Sequence, residues 1–442
     1  MPACLIALVS RSSACHGVSE SRTLTAETVI DLPSEPGPAH WAGTNWYRAF
    51  LVSRAIPPIS DGAVIVVSKE RQVWYIDPLR GHVIRRLQYD ENETVVTSQN
   101  GAYVAVFSEF EHPTGDSIIK RLRIEDSRGI TLWETGFTRL NPCEPTPNGG
   151  FVAYPSAHPL DRWTGDWFEI PKNTIPPPQP HGLLVYDFNG QLILEGIEYY
   201  QCREGTCWGQ MSSDGRFLAV LFVSVRPENW ESRRNQGDRA CLVLYDLEER
   251  GEVWRHYFEG IRPAGLLMGP DAARIVCFVA SEGEYLLSST DYHVYLFDKQ
   301  GQQLLDEALP GCEDIAPPGG IAMSEDGSVF AYSTRAPGLF VRRASDGGDL
   351  WSLRGEEASH ITNFALDTNG AVLMLTGYVS ARQGRIQPVL SYILPDSTVD
   401  LRCISEALLG SRFPVKLGTV GDGKHFWMVY NDQLSVLTMS AR

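Results

Sequence analysis

Helical periodicity is nearly absent from this 442-residue chain. No apolar run approaches the ~18 residues that a membrane-spanning helix needs. Positive charge is also short: 38 Lys and Arg face 54 Asp and Glu, a net charge of −16. Such a chain repels phosphate backbones, so nucleic acid is not an expected partner. No Cys-x-x-Cys or Cys/His cluster has zinc spacing. There is no Gly-x-Ser-x-Gly, no His-Glu-x-x-His and no phosphate-binding P-loop. The recurring Asp-Gly turns lack the alternating acids ending in Glu that calcium loops require. No cofactor is therefore expected.

The nine cysteines are odd in number, which argues against a disulfide framework. Cys241, Cys277 and Cys403 fall inside apolar runs, where a thiol acts as a small hydrophobe. Cys202 and Cys207 flank "REGT" and would close a hairpin only in an oxidising compartment. The start, "MPACLIALVSRSSACHG", has no Lys or Arg ahead of its apolar run, and Arg11 ends that run early. Residues 1–26 read as a flexible leader and 27–442 as one domain. The expected compartment is the cytoplasm, with export as the alternative.

What the chain has in abundance is one repeated phrase. A polar turn feeds an apolar strand in "ISDGAVIVVS", "TSQNGAYVAVF", "TPNGGFVAYPS", "MSSDGRFLAVLF", "MGPDAARIVCF", "MSEDGSVFAYS", "LDTNGAVLMLT" and "GDGKHFWMVY". The turn residues are Gly62, Gly101, Gly150, Gly215, Ala272, Gly327, Gly370 and Gly423, at intervals of 39, 49, 65, 57, 55, 43 and 53 residues. Propeller repeats have periods of roughly 40–50 residues, and the longer intervals contain insertions.

Each phrase leads to a second run closing on Asp, as at Asp77, Asp187, Asp246 and Asp298, and then to a turn Gly. Asp accepts hydrogen bonds from turn amides and Gly supplies positive φ, so this is hairpin chemistry. A third strand follows, carrying Ile84, Trp133, Ile193, Trp254, Leu304 or Trp351 three or four positions after the Gly. With the short strand before each opening turn, every unit is four antiparallel strands. "FLAVLF" is apolar on both faces, as a sheet covered on both sides requires.

The fold class is thus all-β: a β-propeller of four-stranded blades, eight by this reading and seven in the alternative. The last repeat lacks a fourth strand, and "ETVIDL" (27–32) lacks a partner. Their pairing would close the ring.

The units "IEDSRGITLW" (124–133), "YDLEERGEVW" (245–254) and "ASDGGDLW" (344–351) resemble the Asp…Gly…Trp turn of quinoprotein-like (PQQ-like) and WD40-like β-propeller repeats. The resemblance spans about 27–439 and implies architecture. The Gly-His and Trp-Asp dipeptides of WD40 repeats are missing, and the quinoprotein turn is matched only in part. No cofactor or calcium ligand of that family can be placed on these residues.

Four loops between the inner strands are enlarged: 109–117, 157–181, 225–239 and 281–291. Loops beyond about 12–15 residues are commonly functional. The second carries Trp163, Trp167 and Phe168 beside Pro176-Pro177-Pro178; the next carries Trp230 with Arg226, Arg233, Arg234 and Arg239. Trp and Arg are the residue types that anchor interfaces. The bland alternative is that the aromatics fold onto the blade tops and the arginines pair locally. Glu109, Glu111, His112 and Asp116 form a weaker metal candidate. The reading is a non-enzymatic, monomeric scaffold for a protein, peptide or small ligand, an acidic peptide fitting the arginines best. The alternative is a propeller enzyme (a quinoprotein-like dehydrogenase, hydrolase or lyase) with its site at the channel mouth.

Overall fold

The computed structural model describes residues 22–31, 48–52, 63–69, 71–111, 118–137, 143–153, 183–196, 208–224, 239–258, 262–280, 291–310, 320–334, 338–354, 361–379, 386–395, 399–404, 416–419, 425–430 and 433–441. Among these residues every strand belongs to one of eight four-stranded antiparallel sheets. In chain order they span 48–88, 93–137, 143–196, 208–257, 262–310, 321–354, 361–404 and 416–441, and are called sheets 1 to 8. Sheets 1 to 7 are simple meanders of four consecutive strands. This is the blade unit of a β-propeller repeat protein, and the chain is one.

Sheet 8 takes its outer strand from the other end of the chain. Arg22–Asp31 pairs antiparallel with Gln433–Ala441, from Arg22↔Ala441 to Asp31↔Gln433. The pairing predicted for 27–32 is therefore present. The strand begins at Arg22, inside the stretch read as leader, because the main-chain ladder continues to the last residues of its partner.

The described residues fall into two compact units. One contains sheets 2 to 5 and the other sheets 6, 7, 8 and 1. Within each unit the sheets stack face to face in order, and the core lies in the seams. In the first unit, Ala105, Leu122 and Ile124 of sheet 2 meet Phe151 of sheet 3. Val152 and Val185 of sheet 3 meet Leu218, Val220 and Val243 of sheet 4. Ala219, Leu242 and Leu244 of sheet 4 meet Leu266, Ile275 and Cys277 of sheet 5. In the second unit, Val341 and Leu353 of sheet 6 meet Phe364 and Met374 of sheet 7. Ile65 and Trp74 of sheet 1 meet Trp427 and Val436 of sheet 8. The alternation explains this arrangement. In "FLAVLF" the odd residues face one neighbour and the even residues the other, so both faces must be apolar.

The turns follow the expected chemistry with local corrections. Asp77, Asp126, Asp187, Asp246 and Asp298 each accept turn amides through Oδ1, for example from Asn189 at 2.8 Å and Gln191 at 2.9 Å for Asp187. Ala272 does stand where other repeats have Gly, at φ 59°. In sheet 3, however, the left-handed residue is Gly149 (φ 87°) rather than Gly150. In the outer turns of sheets 4 and 6 it is Arg250 (φ 55°) and Gly347 (φ 74°), not Gly251 and Gly348. In sheet 4, as in sheet 1 at Gly81, the left-handed residue stands one place further from the Asp than in sheets 2, 3 and 5.

A bulge at the start of each outer strand corrects the alignment of the large apolar residues. Trp133, Trp254 and Trp351 pair with Ile124, Leu244 and Val341. At that register sheet 1 carries Arg85, sheet 3 Leu194 and sheet 5 Leu305. Ile84, Ile193 and Leu304 are instead the unpaired bulge residues.

Candidate functional site

The two ends of the sheets differ. The first and third hairpin turns of each meander sit at one end, the turn end; the connections between second and third strands leave at the other.

At the turn end, neighbouring sheets are fastened by indoles. Trp133 of sheet 2 donates its Nε1–H to the carbonyl of Gly149 in sheet 3, at 3.1 Å. Trp351 of sheet 6 donates to Gly370 of sheet 7 at 2.8 Å, and Trp254 of sheet 4 to Lys299 of sheet 5 at 3.0 Å. The rings lie against turn glycines. A Cβ added to Gly190 would stand 2.8 Å from the Trp133 ring, and one on Gly301 2.8 Å from Trp254. Other side chains add to these seams: Asn100 Nδ2 donates to the Pro147 carbonyl at 2.5 Å, and Lys299 Nζ lies 3.8 Å from the Phe217 ring centroid. Trp133 and Trp351 are buried and Trp254 half-buried, as the repeat pattern predicts.

The seam between sheets 3 and 4 is different. Its register position holds Leu194, and no indole bridges it among the described residues. A pocket of about 80 Å³ opens there, lined among others by Phe188, Ile193, Asp214, Gly215, Arg216 and Glu248. Arg216 contacts Asp246 Oδ2 through Nε at 3.0 Å and Nη2 at 2.8 Å, and Glu248 at 3.2 Å. Burial pushes the Asp246 carboxyl up, but the Arg216 bond and the Glu249 amide outweigh it and hold the pKa below the usual range.

Elsewhere the polar groups serve the fold. Arg123 bridges Glu93 at 2.8 Å and Glu125 at 2.5 Å within sheet 2. Asp126, Asp326 and Asp346 also titrate low. Burial opposes this at Asp126 and Asp326, but bonds from Arg128 and from the Ser328 amide prevail; at Asp346 the Gly348 amide leads. His256 lies between Phe258 and Phe297, centroids at 4.7 and 4.9 Å, and burial lowers its pKa while Asp306 raises it. Cys277 is a buried thiol whose pKa burial pushes well up.

At the loop end, the second-to-third connections of sheets 2 to 5 are 112–117, 154–182, 225–238 and 281–290. All four belong to one unit, on consecutive stacked sheets. Trp163, Trp167, Phe168, Arg226, Trp230, Arg233 and Arg234 lie outside the described residues, as do Cys202 and Cys207. Arg239 is described: it is exposed and opens a strand, opposite Ser224. Glu109 and Glu111, read as loop residues, belong to the strand Tyr103–Glu111, where Glu111 pairs with Ile118. His112 and Asp116 lie outside the described residues. No group of three or more metal-ligating side chains occurs among the described residues. The signal missed in the sequence was the seam pocket, legible only once the bulge identifies Leu194 as the counterpart of the tryptophans.

No family model matches the chain, and no curated protein matches it. Solved structures do resemble it. The β-propeller domain of Cps50 (Swd1) from Myceliophteria thermophila is 9% identical, with 94% of this chain and 99% of that chain covered and a TM-score of 0.44. BamB from Moraxella catarrhalis is 12% identical, with 94% of this chain and 98% of that chain covered and a TM-score of 0.47. These are likenesses of fold alone, and the architecture rests on the strand order and register described above.

Proposed function

We propose that the chain is a non-enzymatic scaffold that binds a protein or peptide at the loop end of sheets 3 and 4. One observation carries the reading. The two longest inner connections, 154–182 and 225–238, leave the same end of two sheets whose apolar faces pack together. A rigid base thus presents two neighbouring segments holding Trp163, Trp167, Phe168 and Trp230 with Arg226, Arg233 and Arg234. Loops on a rigid scaffold are a common place for recognition. Arginines favour carboxylates and phosphates in forked geometry, so an acidic partner segment fits best. The buried thiols and odd cysteine count support a reducing compartment, for which we propose the cytoplasm.

The test is a binding screen with the intact chain beside a Trp163→Ala/Trp230→Ala/Arg233→Ala/Arg234→Ala variant of equal melting temperature. Ligands of the scaffold should lose at least about tenfold in affinity with the variant, a change of about 1.4 kcal/mol, and weaken with salt. Equal binding by both chains would place recognition elsewhere.

A further inference from the structure

We propose that the mouth of the seam between sheets 3 and 4, at the turn end, is a slot for the indole side chain of a basic partner segment. Other seams of the chain show what such a space accepts. Between sheets 2 and 3, Trp133 lies against Gly190 and donates to the Gly149 carbonyl. Between sheets 6 and 7, Trp351 donates to the Gly370 carbonyl. Gly215 occupies the same turn position in sheet 4, with φ 76° beside 87° for Gly149 and 81° for Gly370. Its carbonyl is the counterpart acceptor, and Gly215 lines the pocket.

The chain's own sequence leaves the slot unfilled. Leu194 stands in register where Trp133 and Trp351 stand in their sheets, and it carries no N–H donor. The facing outer turn differs as well. Its left-handed position, held by the indole-pressed Gly190 and Gly301 in sheets 3 and 5, is Arg250, and a Cβ at the next residue, Gly251, would meet only the Glu249 carbonyl, at 3.8 Å. Phe188 stands at the lip with 60% of its surface exposed, a flat apolar wall for an incoming ring.

Charge selects the kind of segment. Asp187, Asp214 and Glu248 line the pocket with Arg216, and Arg216 is itself engaged by Asp246 and Glu248. Glu249 and Glu252 on the same turn and strand are exposed. The acid excess favours a cation beside the indole and disfavours an anion. This site lies at the opposite end of the sheets from the long connections, so it stands or falls independently of them.

The test uses the full chain and a fluorinated tryptamine, an indole bearing an ammonium group, followed by fluorine NMR line broadening. The expected affinity is about 1 mM, the scale of a fragment of this size. A fluorinated indole-3-acetate, with the same ring and opposite charge, should bind about tenfold more weakly at low salt. Leu194→Trp, which gives the seam its own indole, should reduce tryptamine affinity at least about tenfold and raise the melting temperature. Phe188→Ala should weaken binding about threefold without affecting folding, because the side chain is exposed. If Leu194→Trp does not fold, the Phe188→Ala arm decides. Absence of broadening with the unaltered chain would overturn the slot. So would unchanged binding by a folded Leu194→Trp or by Phe188→Ala, or equal binding of the two charged probes.

Discussion

Trp351 donates its indole N–H to the main-chain carbonyl of Gly370, nineteen residues on and one sheet over, at 2.8 Å. The contact is buried and lies among Val341, Phe364, Leu366 and Met374. It joins sheet 6 to sheet 7 by packing and by a directional bond at once. Trp351→Ala should cost about 3–5 kcal/mol through the cavity it leaves. Trp351→Phe keeps much of the ring but strands a buried carbonyl, and should cost about 1–3 kcal/mol. Denaturant titration of both variants measures the two terms. A loss below about 1 kcal/mol for the alanine variant would contradict the seam.

The glycine beneath Trp133 gives a second check on the same relationship. Gly190 has φ 74°, and an added Cβ would stand 2.8 Å from the Trp133 ring. Gly190→Ala combines left-handed strain of about 1–2 kcal/mol with displacement of a buried indole. Gly251→Ala, in open space, should cost clearly less. Melting temperatures of the pair compare a left-handed glycine under an indole with an open turn glycine of ordinary φ.

Removal of residues 1–35 takes away the strand Arg22–Asp31 and exposes the Gln433–Ala441 edge. Unpaired edges are templates for association. The shortened chain should melt lower and aggregate sooner, read by scattering during a thermal scan. Equal midpoints and equal solubility would show that the pairing contributes nothing.

Acid should weaken the fold in two windows. Asp126, Asp246, Asp326 and Asp346 have lowered pKa values, so the folded chain binds fewer protons than the unfolded one. Their contribution is complete above the unfolded value of about 4 and is lost as pH falls through the folded values. His256 is also lowered, by burial first, so its stabilisation is present above about 6.5 and declines as pH drops below that. His256→Phe should flatten the upper window of stability against pH, and Asp246→Asn should shrink the lower one.

The sequence carries much of this architecture openly, because each repeat writes its own turn. Asp187 and Gly190 mark one hairpin, and Ser212, Asp214 and Gly215 another; the backbone does what those residues demand. The interleaved apolar faces are equally plain in "FLAVLF", whose residues divide between two seams. What was hidden depends on counting through bulges. A one-residue shift separates Ile193, in the bulge, from Leu194, in register with the tryptophans, and no local signal distinguishes them. The pocket, which Ile193 lines, becomes legible only with that shift. Long-range pairing at the chain ends was legible because one strand lacked a partner at each end.

Photo-crosslinking tests the recognition surface most directly. A benzophenone amino acid placed at position 163 or 230 samples the loop end of sheets 3 and 4, and one at Gln300 samples an exposed turn of sheet 5. In lysate, positions 163 and 230 should capture the same partner, with the yield falling as salt rises, while position 300 captures none. Capture at position 300 alone, or equal capture at all three positions whatever the salt, would contradict a binding scaffold that uses these two loops.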